Sequence, residues 1–207
     1  AYIDGQRNED HGNPERALDN YGASLGHAYR YLFDSQLDWT RNPYDPQFRQ
    51  ACDLYNGALE ASLRILRERQ QLTPGTTQRI KTAECNLELS IEMQGPWRAE
   101  EIERLEFASD FEVAGLTNQY RTYGLGVPLI AVRRASPTRQ GMEAYYPKRL
   151  SFPVTAFLRV HKPSDEVRQM SGEAPTKRFV LELHDPLVNQ QLRVGERLIP
   201  LETDLST

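Results

Sequence analysis

A chain of 207 residues with 39% hydrophobic and 26% charged side chains can bury the core of one domain, or of a domain with an appendage, and is too apolar for a disordered chain. Lys and Arg number 25 against 29 Asp and Glu; the net charge of −4 falls in the first hundred residues and the remainder is neutral, so neither part is a basic arm for nucleic acid. The composition also excludes collagen and disulfide scaffolds, and the apolar run Val127–Val132 is far short of the roughly 18 residues of a membrane-spanning helix.

The opening Ala1-Tyr2-Ile3-Asp4 has neither an initiator Met nor an apolar leader, and the chain stops at Thr207 just after an apolar segment, so a processed, trimmed or fragmentary chain is expected. A helical start at Tyr2-Ile3 is expected to be the remnant of an earlier helix. Asn13-Pro14 is an N-cap and first-turn pair, and Leu18, Tyr21, Leu25, Ala28 and Leu32 follow at helical spacing, predicting a helix over 14–34. Asp45-Pro46 repeats the signal, and Phe48, Cys52, Tyr55, Leu59, Leu63 and Leu66 trace one face of a second helix over 46–71. The short Asn42-Pro43-Tyr44 connection suits an antiparallel hairpin with Tyr55, Leu59 and Leu63 in its interface.

At Thr73-Pro74-Gly75 the period changes. Leu87, Leu89, Ile91 and Met93 alternate with Glu88, Ser90 and Glu92, the pattern of a half-buried strand. Trp97 to Leu105 reads as a short helix; 111–113, 127–133, 152–161 and 179–184 read as strands, and 192–201 as a further strand or strand pair. Residues 136–148 and 162–177 read as mobile loops. The expected fold is α+β: a helical hairpin region over 1–72 packed with a mostly antiparallel β domain of five to seven strands over 76–207.

Chemistry is sparse. Gly22-Ala23-Ser24-Leu25-Gly26 matches the G-x-S-x-G pattern of a serine-hydrolase elbow, but an elbow needs a strand feeding a sharp turn, and here the flanking residues keep helical register. Ser24 is therefore read as a decoy, with Gly22 and Gly26 expected to allow close helix packing. His27, His161 and His184 are scattered and no metal-ligand spacing accompanies them, so neither metal nor cofactor is expected. His184-Asp185-Pro186 reads as a turn initiator at a strand end. Arg133-Arg134, Tyr145-Tyr146 and Lys148-Arg149 bring cations near aromatics, the chemistry of a phosphate or lipid-headgroup site, but read here as a solvated strand end and loop because their half of the chain is neutral. Cys52 and Cys85 are read as two reduced, buried thiols in preference to a disulfide.

The stretches Ala28–Asp34, Ala51–Asn56, Tyr123–Val132, Tyr146-Pro147 with Phe152–Ala156, and Pro200–Thr207, taken in order, resemble a family of bacterial lipase-like α/β-hydrolases in which a long N-terminal region precedes the catalytic domain. The resemblance implies a parent esterase- or lipase-like serine hydrolase, exported to the bacterial cell envelope, whose Ser, acid and His follow the Pro-Leu-Glu-x-Asp-Leu segment. Acyl transfer needs a nucleophile, a base and an oxyanion hole in one geometry, and none is recognisable in these residues. The chain is then expected to be a non-catalytic accessory region whose partner is the hydrolase domain or polypeptide. Peripheral membrane association through an N-terminal anchor missing from this sequence is a further expectation, and a free-standing protein- or lipid-binding module is the alternative. An exposed apolar patch of a few hundred Å² near the C-terminal strands is expected as the interface, with Val127, Leu129, Ile130, Val132, Leu198 and Leu201 as its residues.

Overall fold

Among the described residues three α-helices form where apolar residues recur at three- and four-residue steps, and strands where the step falls to two. The computed structural model describes residues 1–34, 45–111, 119–134, 150–160, 175–194 and 197–206. Helix α1 spans Tyr2–Asp10, α2 Pro14–Phe33 and α3 Pro46–Glu68. The Asp45 carboxylate accepts from the Gln47 amide at 2.9 Å, which fixes the start of α3, and proline stands in the first turn of both long helices, where its missing N–H costs nothing. The connection 35–44 lies outside the described residues. An ion pair of 3.7 Å joins Glu15, at the start of α2, to Arg69, just past the end of α3, so the two helices run antiparallel.

The strands are β1 (Thr77–Lys81), β2 (Asn86–Gln94), β3 (Ile102–Phe107), β4 (Gln119–Thr122), β5 (Val127–Arg133), β6 (Ser151–Val160), β7 (Thr176–His184), β8 (Gln191–Val194), β9 (Arg197–Pro200) and β10 (Thr203–Ser206). Six make one sheet in the order β1-β2-β7-β6-β5-β3, antiparallel except for the parallel pair β2–β7; β10 pairs with β4, and β8 with β9. The fold is α+β, with N-terminal helices and a mostly antiparallel sheet.

The short helix expected over Trp97–Leu105 is instead a 3-10 turn, Ala99–Glu101, followed by β3. A register shift between Ile102 and Arg104 inserts an extra residue, so that Ile102 and Leu105 are both buried three positions apart. A bulge of this kind gives a strand the spacing of a helix. Residues 112–118, 135–149 and 161–174 lie outside the described residues. With them go most of the expected strand at 111–113, the loop at 136–148, Tyr145-Tyr146, Lys148-Arg149 and His161; Thr176 and Lys177, expected in a loop, open β7.

Helices and sheet share one apolar core, to which Leu18, Leu25, Leu59 and Leu63 contribute with Leu89, Leu129, Phe157 and Leu181. Tyr55 does more than line the hairpin. Its ring stacks on Phe157 at 5.7 Å, its hydroxyl donates to the Leu158 carbonyl at 2.6 Å, and it accepts from the Leu158 amide at 2.9 Å. In an antiparallel strand the N–H and C=O of one residue point to the same side. The β5–β6 ladder ends at Val127↔Ala156, so Leu158 lies beyond its reach, and the Tyr55 hydroxyl takes the place of the missing strand. Asp19 of α2 similarly caps the β1–β2 turn, accepting from Thr82 Oγ1 at 2.6 Å and the Glu84 amide at 3.0 Å. Arg64 and Arg67 tie α3 to Asp110, just beyond β3.

Candidate interaction site

Just before β5, Gly124 and Gly126 let two backbones meet. A Cβ on Gly124 would fall 2.3 Å from the Pro200 carbonyl oxygen and 2.4 Å from the Leu201 carbonyl carbon, and Gly126 has φ +110°, a region closed to most side chains. The contact is knitted by Leu125 N–H to Pro200 O (2.9 Å), Glu202 N–H to Leu125 O (3.1 Å) and Leu201 N–H to Gln190 O (3.1 Å). Asn56, from α3, then joins both segments: Nδ2 donates to Gly124 O at 2.9 Å and to Glu202 Oε2 at 2.7 Å, and Oδ1 accepts from the Gly126 amide at 2.7 Å. Thr155 of β6 donates to the Glu202 carbonyl at 2.6 Å. The result is a polar clasp that holds the C-terminal segment against α3, β5 and β6.

Exposed apolar side chains gather around this clasp. Among the described residues seven large hydrophobics are exposed, and four of them, Tyr123, Leu187, Val188 and Leu198, lie within three residues of Gly124, Gln190 or Leu201, whose backbones the clasp brings together. Leu187 and Val188 ride on a fixed turn: the Asp185 carboxylate accepts from the Leu187 amide at 2.9 Å, and its carbonyl accepts from Val188 and Asn189. Asp185-Pro186 is thus the turn initiator its sequence suggested, and the turn points two apolar residues outward.

The expected interface residues divide. Val127, Leu129, Val132 and Leu201 are between 1% and 8% exposed, covered by the chain itself; Val127, Leu129 and Leu201 join the core that the sheet shares with the helices. Ile130 is half-buried, and Leu198 is exposed at 55%. Ser24 lies on the buried side of α2, in mid-helix. Among the described residues Gly22 and Gly26 make no packing contact, since a Cβ on either would meet nothing there within 4 Å. His27 is exposed on α2. Both cysteines are free and buried, and burial pushes the Cys52 thiol up to about 12.

His184 belongs to a largely buried polar cluster that its sequence neighbours did not announce. Arg159 of β6 grips the Glu182 carboxylate with two bonds of 2.8 and 3.0 Å, and His184 Nε2 meets Glu182 Oε2 at 3.1 Å. Burial pushes the Glu182 carboxyl up, but the bonds from His184 and Arg159 outweigh it and hold the group down at about 2. A Glu–His pair is the geometry of a general base. Here both carboxylate oxygens are engaged and the imidazole is 5% exposed, which makes the pair part of the core's polar framework. An open groove of about 540 Å³ beside α1 is lined by Tyr2, Glu9, Tyr21, Glu60 and Arg64, but Tyr21 already binds Glu9 and Arg64 already binds Glu60. Among the described residues no cluster of three His, Cys, Asp or Glu is placed to hold a metal, and no helix is long and apolar enough to cross a membrane. Comparison with protein-family models, with curated proteins and with solved structures finds no match to this chain.

Proposed function

We infer that this chain is the non-catalytic accessory region of an esterase- or lipase-like α/β serine hydrolase of the bacterial cell envelope, packing on or positioning the catalytic domain that the resemblance puts after Thr207. The observation carrying this reading is the gathering of Tyr123, Leu187, Val188 and Leu198 around the clasp that fixes the C-terminal segment. Apolar side chains held outward on a fixed turn and a hairpin are the composition of a protein contact rather than of a surface facing only water.

The test compares residues 1–207 with the full-length gene product by amide exchange. Protection gained in 187–201 of the longer protein is the expected result, together with esterase activity that resides in the added part. Equal protection in both proteins, or a gene product with no hydrolase domain, would overturn the reading and favour a free-standing binding module.

A further inference from the structure

We propose that Asn56 is the positioning residue of this docking face: its side-chain amide fixes the C-terminal segment to α3 and thereby sets how Tyr123 and Leu198 are presented, an inference that rests on the docking reading above. One amide group serves three partners in two segments remote from it in sequence, by 68 and 70 residues for Gly124 and Gly126 and by 146 for Glu202. Two donors and an acceptor on so short a stem are a property of Asn: Asp has no donor, a hydroxyl has one, and Gln is a methylene longer. The carboxylate it meets is internal, with Glu202 5% exposed, and a buried carboxylate is tolerated only when hydrogen bonds replace its water.

The neighbouring backbones leave the clasp little freedom. Gly124 rests against Pro200 and Leu201, Leu125 and Leu201 form a parallel bridge, and Thr155 anchors the Glu202 carbonyl from the other side. Tyr123 directly precedes Gly124, and Leu198 stands two residues before Pro200. A shift of the clasp therefore moves both of these exposed side chains together. Leu187 and Val188, held by Asp185 on their own turn, are coupled to it only through the Leu201–Gln190 bond.

The test is residue-resolved amide exchange on the whole 207-residue chain, comparing the parent with Asn56→Asp and with Asn56→Asp combined with Glu202→Gln. The Asp variant keeps the Gly126 bond, removes the donors to Gly124 and Glu202, and sets two carboxylates against each other. The added Gln returns a donor to the pair. The amides of Leu125, Leu201 and Glu202 should exchange at least about tenfold faster in the single variant while those of Leu89 and Leu181 keep their rates, and the double variant should recover most of the loss. Should Asn56→Asp fail to fold, Asn56→Ser, which adds no charge, gives the same local pattern at smaller amplitude. No acceleration, acceleration shared equally with Leu89 and Leu181, or acceleration that Glu202→Gln leaves untouched in the folded Asp variant would each overturn the assignment. In the full-length gene product the protection gained around Tyr123 and Leu198 should be lost in Asn56→Asp and return with Glu202→Gln, and protection that Asn56→Asp leaves intact would overturn the positioning role, whereas a parent product without such protection would fail the docking reading itself.

Discussion

Replacing Tyr55 by Phe removes one oxygen and keeps the ring, and so isolates what that oxygen does. The hydroxyl is both donor and acceptor for a single residue, bonding Leu158 O at 2.6 Å and Leu158 N at 2.9 Å, with no exposure on Tyr55 and 8% on Leu158. Without it a backbone N–H and a backbone C=O lose their partner in the core. A buried polar group left unsatisfied costs about 1–3 kcal/mol, and because both bonds share one hydroxyl we take about 3 kcal/mol for the pair. At about 2–4 °C per kcal/mol for a domain of this size, the melting temperature should fall by roughly 6–12 °C. The stack of ring 55 on Phe157, at 5.7 Å, should survive, and so should the near-ultraviolet dichroism and the urea m-value. Thermal and urea unfolding followed by circular dichroism measure the effect. A melting temperature within about 1 °C of the parent would show that Leu158 needs no partner from α3, and the account of how helix and sheet are joined would fall.

Glu182 predicts an acid limb in stability. Its folded carboxyl is held at about 2, below its ordinary 4.5, so the folded state prefers the ionised form; the stabilisation is full above about pH 4.5 and is lost as pH falls toward 2. The loss should approach about 3 kcal/mol in urea titrations across that window, and Glu182→Gln should flatten the curve there. An unaltered pH profile in that variant would refute the assignment. Ser24→Ala should change nothing catalytic: residues 1–207 should neither turn over p-nitrophenyl esters nor take up a fluorophosphonate, and turnover abolished by that substitution would restore Ser24 as a nucleophile.

Periodicity made α2, α3, β2, β5, β6 and β7 legible because each carries a continuous apolar stripe into the core, and their observed bounds lie within three residues of the expected ones. It missed elements with no stripe to show. In β1, Thr77–Lys81, Ile80 alone is buried, as suits a polar strand guarding a sheet edge. The helical start expected at Tyr2-Ile3 is α1, although its stripe is weak: Ile3 is 62% exposed, and Tyr2 finds its place by tilting against Tyr21 at 5.7 Å. β3 was misread because its bulge imitates a helical step. The clasp was invisible for another reason. Asn56 and Gly124 each fall in a stretch that supports the family resemblance, but their meeting is a fact of tertiary packing over 68 residues of chain, which no local pattern records.

The burial of Val127, Leu129, Val132 and Leu201 changes what a docking partner would touch. An apolar strand with spare side chains on an open face would offer a flat surface, but in β5 Val127, Leu129, Ala131 and Val132 are buried and only Pro128 and Ile130 are left half-buried. What remains outside is the rim: the Asp185 turn with Leu187 and Val188, Leu198 on β9, and Tyr123 ahead of the clasp. A standard interface buries about 800 Å² per partner, more than these four side chains supply, since only Tyr123 is an aromatic of about 150–250 Å² and the other three are smaller aliphatic residues already partly covered. The exposed Asn189, Gln190, Gln191 and Arg193 around them would complete it as a polar border. Such a contact has a small apolar centre and a wet edge, the anatomy of a face that docks a folded neighbour rather than one that merges with it into a single core. The specificity of such a contact would depend on how the four side chains are held in relation to each other, and on the proposed reading the clasp and the Asp185 turn would govern it without touching a partner.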